Sequence, residues 1–150
     1  MTALQATTPP KNPPKYPPKT TPSGQGANLC LLVDSESNIR GEFADFLREL
    51  GVETVEFADS ARLVENVDEQ RPRLVVVNLN PIAPYDCVRA LISLRECNYI
   101  GEVQLIGRCE IAFLESFQKI GANFSLKMLP SLRKPIEYSS IRKIVSEFEL

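Results

Sequence analysis

The stretch Arg71-Pro-Arg-Leu-Val-Val-Val-Asn-Leu-Asn-Pro-Ile82 decides the fold of this 150-residue chain. Its apolar run, residues 74–77 with Leu79, is too continuous for a strand with one face in water. It therefore predicts the central strand of a parallel sheet that is covered on both faces. Asn78 lies at the carboxyl end of this strand. In open α/β sheets that end faces the crevice where ligands bind, so position 78 is the first candidate for function.

The rest of the chain alternates between short apolar strands and amphipathic helices. Predicted strands cover residues 28–34, 52–57, 74–79 and 102–106. Predicted helices cover residues 37–50, 61–70 with Ser60 as N-cap, 86–97, 110–120 with Gly121 as the stop, and a last helix that starts at Pro135. Residues 124–128 either extend the fourth helix or form the fifth strand, and residues 131–133 compete for the role of that strand. This alternation predicts a parallel sheet with right-handed crossovers.

Residues 1–27 differ in composition from the rest of the chain. They hold seven of the twelve prolines and three lysines, Lys11, Lys15 and Lys19, with no acid. We predict a disordered tail, biased towards polyproline II, and a single domain at residues 28–150. A docking peptide for an aromatic-lined groove is the alternative role for the tail. With the tail's +3 set aside, the net charge of -2 leaves -5 on the domain, which disfavours nucleic-acid binding.

The four cysteines lie far apart, and the chain has no histidine. Zinc sites need clustered Cys and His, and Cys or Ser nucleophiles usually need a His base, so we predict no metal site and no enzyme of these kinds. The cysteines are expected to be buried apolar residues. No apolar run approaches the roughly 18 residues of a membrane span, and no signal peptide follows Met1. We expect a cytoplasmic protein without a cofactor or a membrane contact.

The central stretch, together with Leu31-Leu-Val-Asp34 and Arg133-Lys134-Pro135, resembles the receiver domain of two-component response regulators. The resemblance covers about residues 28–148. It implies an α/β, flavodoxin-like receiver fold: a five-stranded parallel sheet of order 2-1-3-4-5 flanked by five helices. In that family the first strand ends in an acidic pair and the third in the phosphate-accepting aspartate. The fourth ends in Ser or Thr, and the fifth in Lys-Pro.

The chain departs from this pattern at the positions that carry the family's chemistry. Asn78 replaces the aspartate, Ser35 replaces the second acid, and Gly107 replaces the hydroxyl residue. Only Asp34 and Lys134 match. A carboxamide neither forms an acyl phosphate readily nor supplies charge for magnesium. The resemblance therefore implies a degenerate phosphoacceptor pocket without a metal, in which the surviving Asp and Lys form an ion pair.

We interpret the chain as a non-phosphorylatable pseudo-receiver, a regulatory protein–protein interaction module in bacterial signal transduction. The resemblance implies that it contacts a protein partner, an output domain or a second copy in a homodimer through the face of the fourth helix, fifth strand and fifth helix. Candidate residues on that face are Phe113, Phe117, Tyr138 and Ile141. Residues 129–136 resemble receivers that precede cyclic-di-GMP phosphodiesterase domains, which suggests the front of a larger protein.

Two alternatives stay open on sequence alone. The first is an atypical receiver that accepts phosphate on Asp34 or Glu36; it would gain covalent phosphate from a small phosphodonor. The second is a flavodoxin-like domain that binds a small ligand. Against the second, the loop at residues 35–38 has no glycine with which to cradle a phosphate.

Overall fold

The computed structural model of the protein describes residues 28–148. Their elements are β1 (Leu29–Val33), α1 (Ser37–Glu49), β2 (Glu53–Phe57), α2 (Leu63–Gln70), β3 (Leu74–Leu79), α3 (Tyr85–Glu96), β4 (Glu102–Gly107), α4 (Ile111–Asn123), β5 (Lys127–Met128), β6 (Leu132–Arg133) and α5 (Tyr138–Val145). The predicted disordered tail lies outside the described residues. Within them, no helix combines the length and the apolarity that crossing a bilayer requires.

The strands form one parallel sheet in the order β2-β1-β3-β4, and both β5 and β6 pair with β4. If β5 and β6 are counted as one interrupted strand, this is the predicted order 2-1-3-4-5 with five helices. The flavodoxin-like fold is therefore confirmed. β3 is the central strand, and each of its residues except Asn78 is buried. Helices cover both faces of the sheet, which explains the nearly continuous apolar run in the sequence.

Two apolar cores lie on opposite faces of the sheet. One contains inward residues of α2, α3 and α4, including Leu63, Leu91 and Leu114. The other contains residues of α1 and α5, including Leu47 and Ile141. Successive residues of β3 point alternately into the two cores, as the two-residue period of a strand requires. The central strand therefore holds both layers of helices in place.

The fifth strand occupies both of the predicted positions. β5 pairs with the start of β4 and β6 pairs with its end, so residues 104–105 of β4 lie opposite residues 129–131. The fifth strand thus has one residue more than its partner and bulges. Pro130, which has no N–H to donate to a ladder, lies in this bulge. The buried Gln104 side chain donates from Nε2 to the Pro130 carbonyl at 2.7 Å, which anchors the bulge to β4.

Three predicted helix boundaries are wrong. The Ser60 hydroxyl donates to the Asp86 carboxylate of α3 at 2.7 Å instead of capping α2, which begins three residues later. α4 runs two residues past Gly121, at which the absence of a side chain leaves room for the side chain of Met128. α5 begins three residues after Pro135. In each case local propensity assigns the residue to a helix end, but in the structure it makes a tertiary contact or lies in a connecting turn.

The cysteines pack as the sequence predicts at three of the four positions. Cys30, Cys87 and Cys97 are buried, Cys109 is half-buried, and all four are free thiols. Burial raises the pKa of the Cys87 thiol to about 12. Such a group stays protonated at neutral pH and behaves as a small apolar side chain.

A substitution at Gly41 tests whether the outer face of α1 has room for a side chain. A Cβ placed there has no neighbouring atom within 4 Å. Because Ala favours the helix over Gly by about 1 kcal/mol, we expect Gly41→Ala to raise the free energy of unfolding by about 0.5–1 kcal/mol. Urea denaturation followed by circular dichroism measures this change. The control is Gly101→Ala, whose Cβ would overlap the Tyr99 hydroxyl and should destabilise the protein. A loss of stability in Gly41→Ala would contradict the open helix face.

Candidate functional site

The carboxyl edge of the sheet brings the predicted pocket residues together. Asp34 and Ser35 follow β1, Asn78 is the penultimate residue of β3, Gly107 ends β4, and Lys134 follows β6. Parallel strands all end on the same edge, so these residues become neighbours although they span about a hundred positions of sequence. The topology therefore forms the site.

The Lys134 ammonium lies at the centre of this edge. Its side chain is fully buried, and Nζ lies 2.7 Å from Oδ2 of Asp34 and 2.5 Å from Oε1 of Glu36. The Asp34 side chain is 1% exposed. The ion pair between Asp34 and Lys134 that the sequence predicts is therefore confirmed. A buried ammonium is compatible with folding only when its charge is compensated, and here two carboxylates compensate it.

Glu36 supplies a second carboxylate from one residue beyond the position that the family uses. Its side chain accepts a hydrogen bond from Lys134 and lies 3.4 Å from Nη2 of Arg108. These contacts hold the pKa of the Glu36 carboxyl below its usual value, and the hydrogen bond from Lys134 is the largest cause. Ser35, which takes the place of the second acid in the sequence, is exposed and lies on the rim of the site.

Local hydrogen bonds fix the loop that carries the two carboxylates. The Glu36 backbone N–H donates to Oδ1 of Asp34 at 3.0 Å, the pattern of an Asx turn. Arg40 of α1 donates from Nη1 to the Asp34 carbonyl at 2.8 Å and from Nε to Glu56 of β2 at 3.1 Å. Because both ends of the loop are held by these hydrogen bonds, the carboxylates face Lys134.

Asn78 lines an open cleft of about 260 Å³ next to the ion pairs. The other residues that line this cleft are Ser35, Glu36, Leu79, Asn80, Pro81, Ile82 and Arg108. Oδ1 of Asn78 is buried and accepts no hydrogen bond from the described residues. The amide carries no charge, so the two carboxylates balance the charges of Lys134 and Arg108, and the site is neutral overall.

Gly107 leaves no room for the hydroxyl side chain that the family has at this position. A Cβ there would lie 2.9 Å from the Leu79 carbonyl oxygen, 3.2 Å from Cδ2 of Leu114 and 3.3 Å from Sγ of Cys109. Leu79 is also the residue that pairs with Gly107 between β3 and β4. A larger side chain would therefore have to displace the central strand.

Among the residues that line the cleft, Arg108 and Ile82 are not predicted from the sequence. Arg108, the residue directly after β4, contacts Glu36. Its position at the end of a buried strand is the sequence feature that could have predicted this role. Ile82 is 91% exposed at the tip of a turn. In this turn the Ala83 N–H donates to the Asn80 carbonyl and the Ile82 N–H to Oδ1 of Asn80. The Asn-Pro pair that begins the turn favours this geometry.

The four residues predicted for an interaction face do not share one surface. Phe113 and Phe117 pair on α4 with ring centroids 5.2 Å apart, and Phe113 is exposed. Tyr138 instead packs against Phe46 of α1, with centroids 5.0 Å apart. Ile141 is 1% exposed and belongs to the core. Its assignment to the face is therefore wrong, because the helical period of α5 turns it inward.

No protein-family model and no curated protein sequence matches this chain. Solved structures match it by fold. A CheY-like response regulator receiver domain protein from Methanospirillum hungatei JF-1 shares 12% identity, with 80% of this chain and 91% of that chain covered and a TM-score of 0.66. The beryllofluoride-activated receiver domain dimer of NtrC4 shares 16% identity, with 79% and 93% covered and a TM-score of 0.65.

A third similar structure is a response regulator protein from Burkholderia pseudomallei with a phosphorylated aspartic acid, a calcium ion and citrate. It shares 11% identity, with 81% of this chain and 66% of that chain covered and a TM-score of 0.63. At such low identities the comparisons establish the fold and not the activity. The chain has the fold of response-regulator receiver domains.

Lys134→Met would leave the buried Asp34 carboxylate without its principal cation. Breaking a buried ion pair from one side costs about 3–5 kcal/mol, so we expect a loss of about that size in the free energy of unfolding. The double variant Asp34→Asn with Lys134→Met removes both charges and should be more stable than Lys134→Met alone. Urea denaturation of the three proteins gives the comparison. Equal stability of the single and double variants would contradict the assigned pairing.

Glu36 gives the site a pH dependence of known sign. Its pKa in the folded protein lies below the reference value of 4.5, so its contribution to stability is present above about pH 4.5 and is lost as the pH falls through the folded pKa. We expect Glu36→Gln to flatten the acid side of the stability curve. Urea denaturation across a series of acid buffers measures this. The control is Glu115→Gln on α4, an exposed acid away from the site, which should follow the wild type. Identical curves for all three proteins would contradict the assignment.

Proposed function

We propose that this chain is a pseudo-receiver: a module with the receiver fold that accepts no phosphate and acts by binding another protein in bacterial signal transduction. The observation that carries the proposal is the position of the Lys134 ammonium. It contacts both carboxylates at the carboxyl edge of the sheet and is fully buried between β1 and the fifth strand. The two carboxylates that could bind a metal ion are thus already neutralised by the lysine side chain.

The residues present do not fit a magnesium ion. Magnesium takes oxygen ligands in a near-ideal octahedron, usually including one or two carboxylates, and gives up its water reluctantly. Asp34 and Glu36 both form ion pairs with the Lys134 ammonium, and the side chain that β3 contributes to the cleft at position 78 is a neutral amide. To bind these two carboxylates, a divalent cation would have to displace the buried ammonium of Lys134, whose charge they already compensate.

The acceptor and the hydroxyl are missing as well. Phosphoryl transfer needs an anionic or activated acceptor, and the Asn78 amide nitrogen is delocalised and uncharged. At Gly107 the contacts with Leu79 and Leu114 exclude even a Cβ without rearrangement. The acceptor, the cation and the hydroxyl are three different parts of one reaction. Their joint loss favours a module that has left this chemistry over a receiver with one inactivating substitution.

Exposed apolar side chains supply surfaces for binding a partner. Phe113 and Phe117 pair on α4. Ile82 is 91% exposed in the turn before α3, and Tyr85, the first residue of α3, is 78% exposed. Exposed aromatic and aliphatic residues in rigid settings are typical anchors of protein interfaces. The NtrC4 receiver with the same fold is a dimer. We propose a cytoplasmic module whose partner is another protein, an output domain or a second copy, and the front of a cyclic-di-GMP-related protein is one such setting.

The intact mass of the protein after incubation with acetyl phosphate and magnesium tests the proposal. We expect the wild type to gain no phosphate, since Asn78 stands at the acceptor position and Lys134 pairs with both nearby carboxylates. The variant Ser35→Asp with Asn78→Asp restores both acids and should gain more phosphate than wild type. An ordinary receiver with its aspartate acceptor serves as the positive control.

A phosphate gained by the wild type would overturn the proposal. Peptide mapping would then distinguish Asp34 from Glu36 as the acceptor. Phosphate on either residue would establish the atypical receiver instead.

A further inference from the structure

Phe46 and Tyr138 form a half-exposed aromatic surface between α1 and α5. Their ring centroids lie 5.0 Å apart with the planes at 72°, and Tyr138 is 38% exposed. Neither residue lines the cleft at the carboxyl edge. Grooves lined by aromatic rings are the sites at which proline-rich segments dock, because a polyproline II helix is already extended and loses little entropy on binding.

Acidic side chains flank this aromatic surface on α1. Glu42 and Glu49 lie four residues before and three residues after Phe46, so they share its side of the helix. Asp45 lies between them, and all three acids are exposed. Within residues 28–148 no salt bridge involves Glu42 or Glu49, and Asp45 has only a long contact with Arg48 at 3.5 Å. The surface therefore presents uncompensated negative charge beside apolar rings.

The amino-terminal part of this chain has the complementary chemistry. Residues 9–19 read Pro-Pro-Lys-Asn-Pro-Pro-Lys-Tyr-Pro-Pro-Lys and contain no acid. In polyproline II the rise is about 3.1 Å per residue, so lysines four residues apart are separated by about 12 Å. Glu42 and Glu49 are separated by about 10 Å along α1 at 1.5 Å per residue. The spacing of the lysines thus approximates the spacing of the acids.

The described chain begins next to the end of α1. Nδ2 of Asn28 donates to the Gly51 carbonyl at 3.0 Å, and the Glu53 N–H donates to the Asn28 carbonyl at 2.9 Å. The eight residues 20–27 can span up to about 27 Å when extended. α1 is about 20 Å long by its 13 residues. The segment can therefore reach the whole outer face of α1 without crossing the sheet.

A second aromatic pair on α4 is the competing surface. Phe113 and Phe117 also have acids nearby in sequence, at Glu110 and Glu115. However, this pair packs on the opposite face of the sheet from α1. Proximity to Asn28 therefore favours the surface on α1.

We propose that residues 9–19 bind the α1–α5 surface of the same chain, defined by Glu42, Asp45, Phe46, Glu49 and Tyr138. The lysines pair with the three acids, and the prolines and Tyr16 pack on the two rings. α5 contributes the exposed cations Arg142 and Lys143 beyond Tyr138, so the lysines lie on the α1 side. This inference goes beyond the proposed function and does not depend on the state of the phosphoacceptor pocket.

Paramagnetic relaxation in the full chain tests the contact. A spin label is attached at Asn12→Cys in a Cys109→Ser background, in which the remaining cysteines are buried. We expect the backbone amide signals of residues 42–49 and of Tyr138 to broaden. Broadening should be lost when Lys11, Lys15 and Lys19 become Gln. It should also be lost in the variant that combines Glu42→Gln, Asp45→Asn and Glu49→Gln.

A matched control removes the same charge elsewhere. The variant Glu65→Gln, Glu96→Gln and Glu115→Gln changes one exposed acid on each of α2, α3 and α4 and should keep the broadening. The proposal is overturned if broadening is absent, if it centres on α4, or if the charge variants leave it unchanged. Broadening in a mixture of spin-labelled and isotope-labelled molecules would show a contact between chains and would also overturn it.

Discussion

The buried charge of Lys134 is the constraint on which the carboxyl edge of the sheet depends. An ammonium inside a protein must be compensated, and its partners come from the loop after β1 while the lysine itself follows β6. Within residues 28–148, the contact therefore joins the first strand, β1, to the last, β6, across the end of the central strand. The Lys134 N–H also donates to the Gly107 carbonyl at 2.8 Å, so the same residue extends the pairing with β4. Lys134 therefore fixes both the geometry of the site and the register of β6 against β4.

The substitutions in the pocket are consistent with one another in physical terms. With a neutral residue at position 78, the carboxylates of Asp34 and Glu36 match the cations of Lys134 and Arg108 in number. An additional aspartate would leave an excess negative charge in a partly buried place. At Gly107 the missing side chain allows the close approach to Leu79. Charge balance and the close approach of β3 and β4 thus account for the residues at positions 78 and 107.

The sequence alone predicts the features that depend on pattern and on strand ends. The apolar run of β3 indicates a doubly covered sheet, and the receiver resemblance gives the strand order. Asp34 and Lys134 pair because both follow strands that end on one edge. Ser60 and Ile141 were misassigned because their environments come from other elements, a carboxylate on α3 and the core behind α5. The role of Glu36 stays open on sequence alone, because the sequence does not show that the turn after β1 brings its carboxylate to Lys134.

The bulged fifth strand has a consequence for how copies of this molecule can meet. A free sheet edge is a template on which another chain can add a strand, and such addition is the first step of many aggregates. Here that edge consists of two short pieces separated by residues 129–131, including Pro130. At the opposite edge, β2 carries Glu53 and Glu56. Both borders of the sheet thus resist extension, so association of two molecules would join side chains of helices and loops and would not produce a continuous intermolecular sheet.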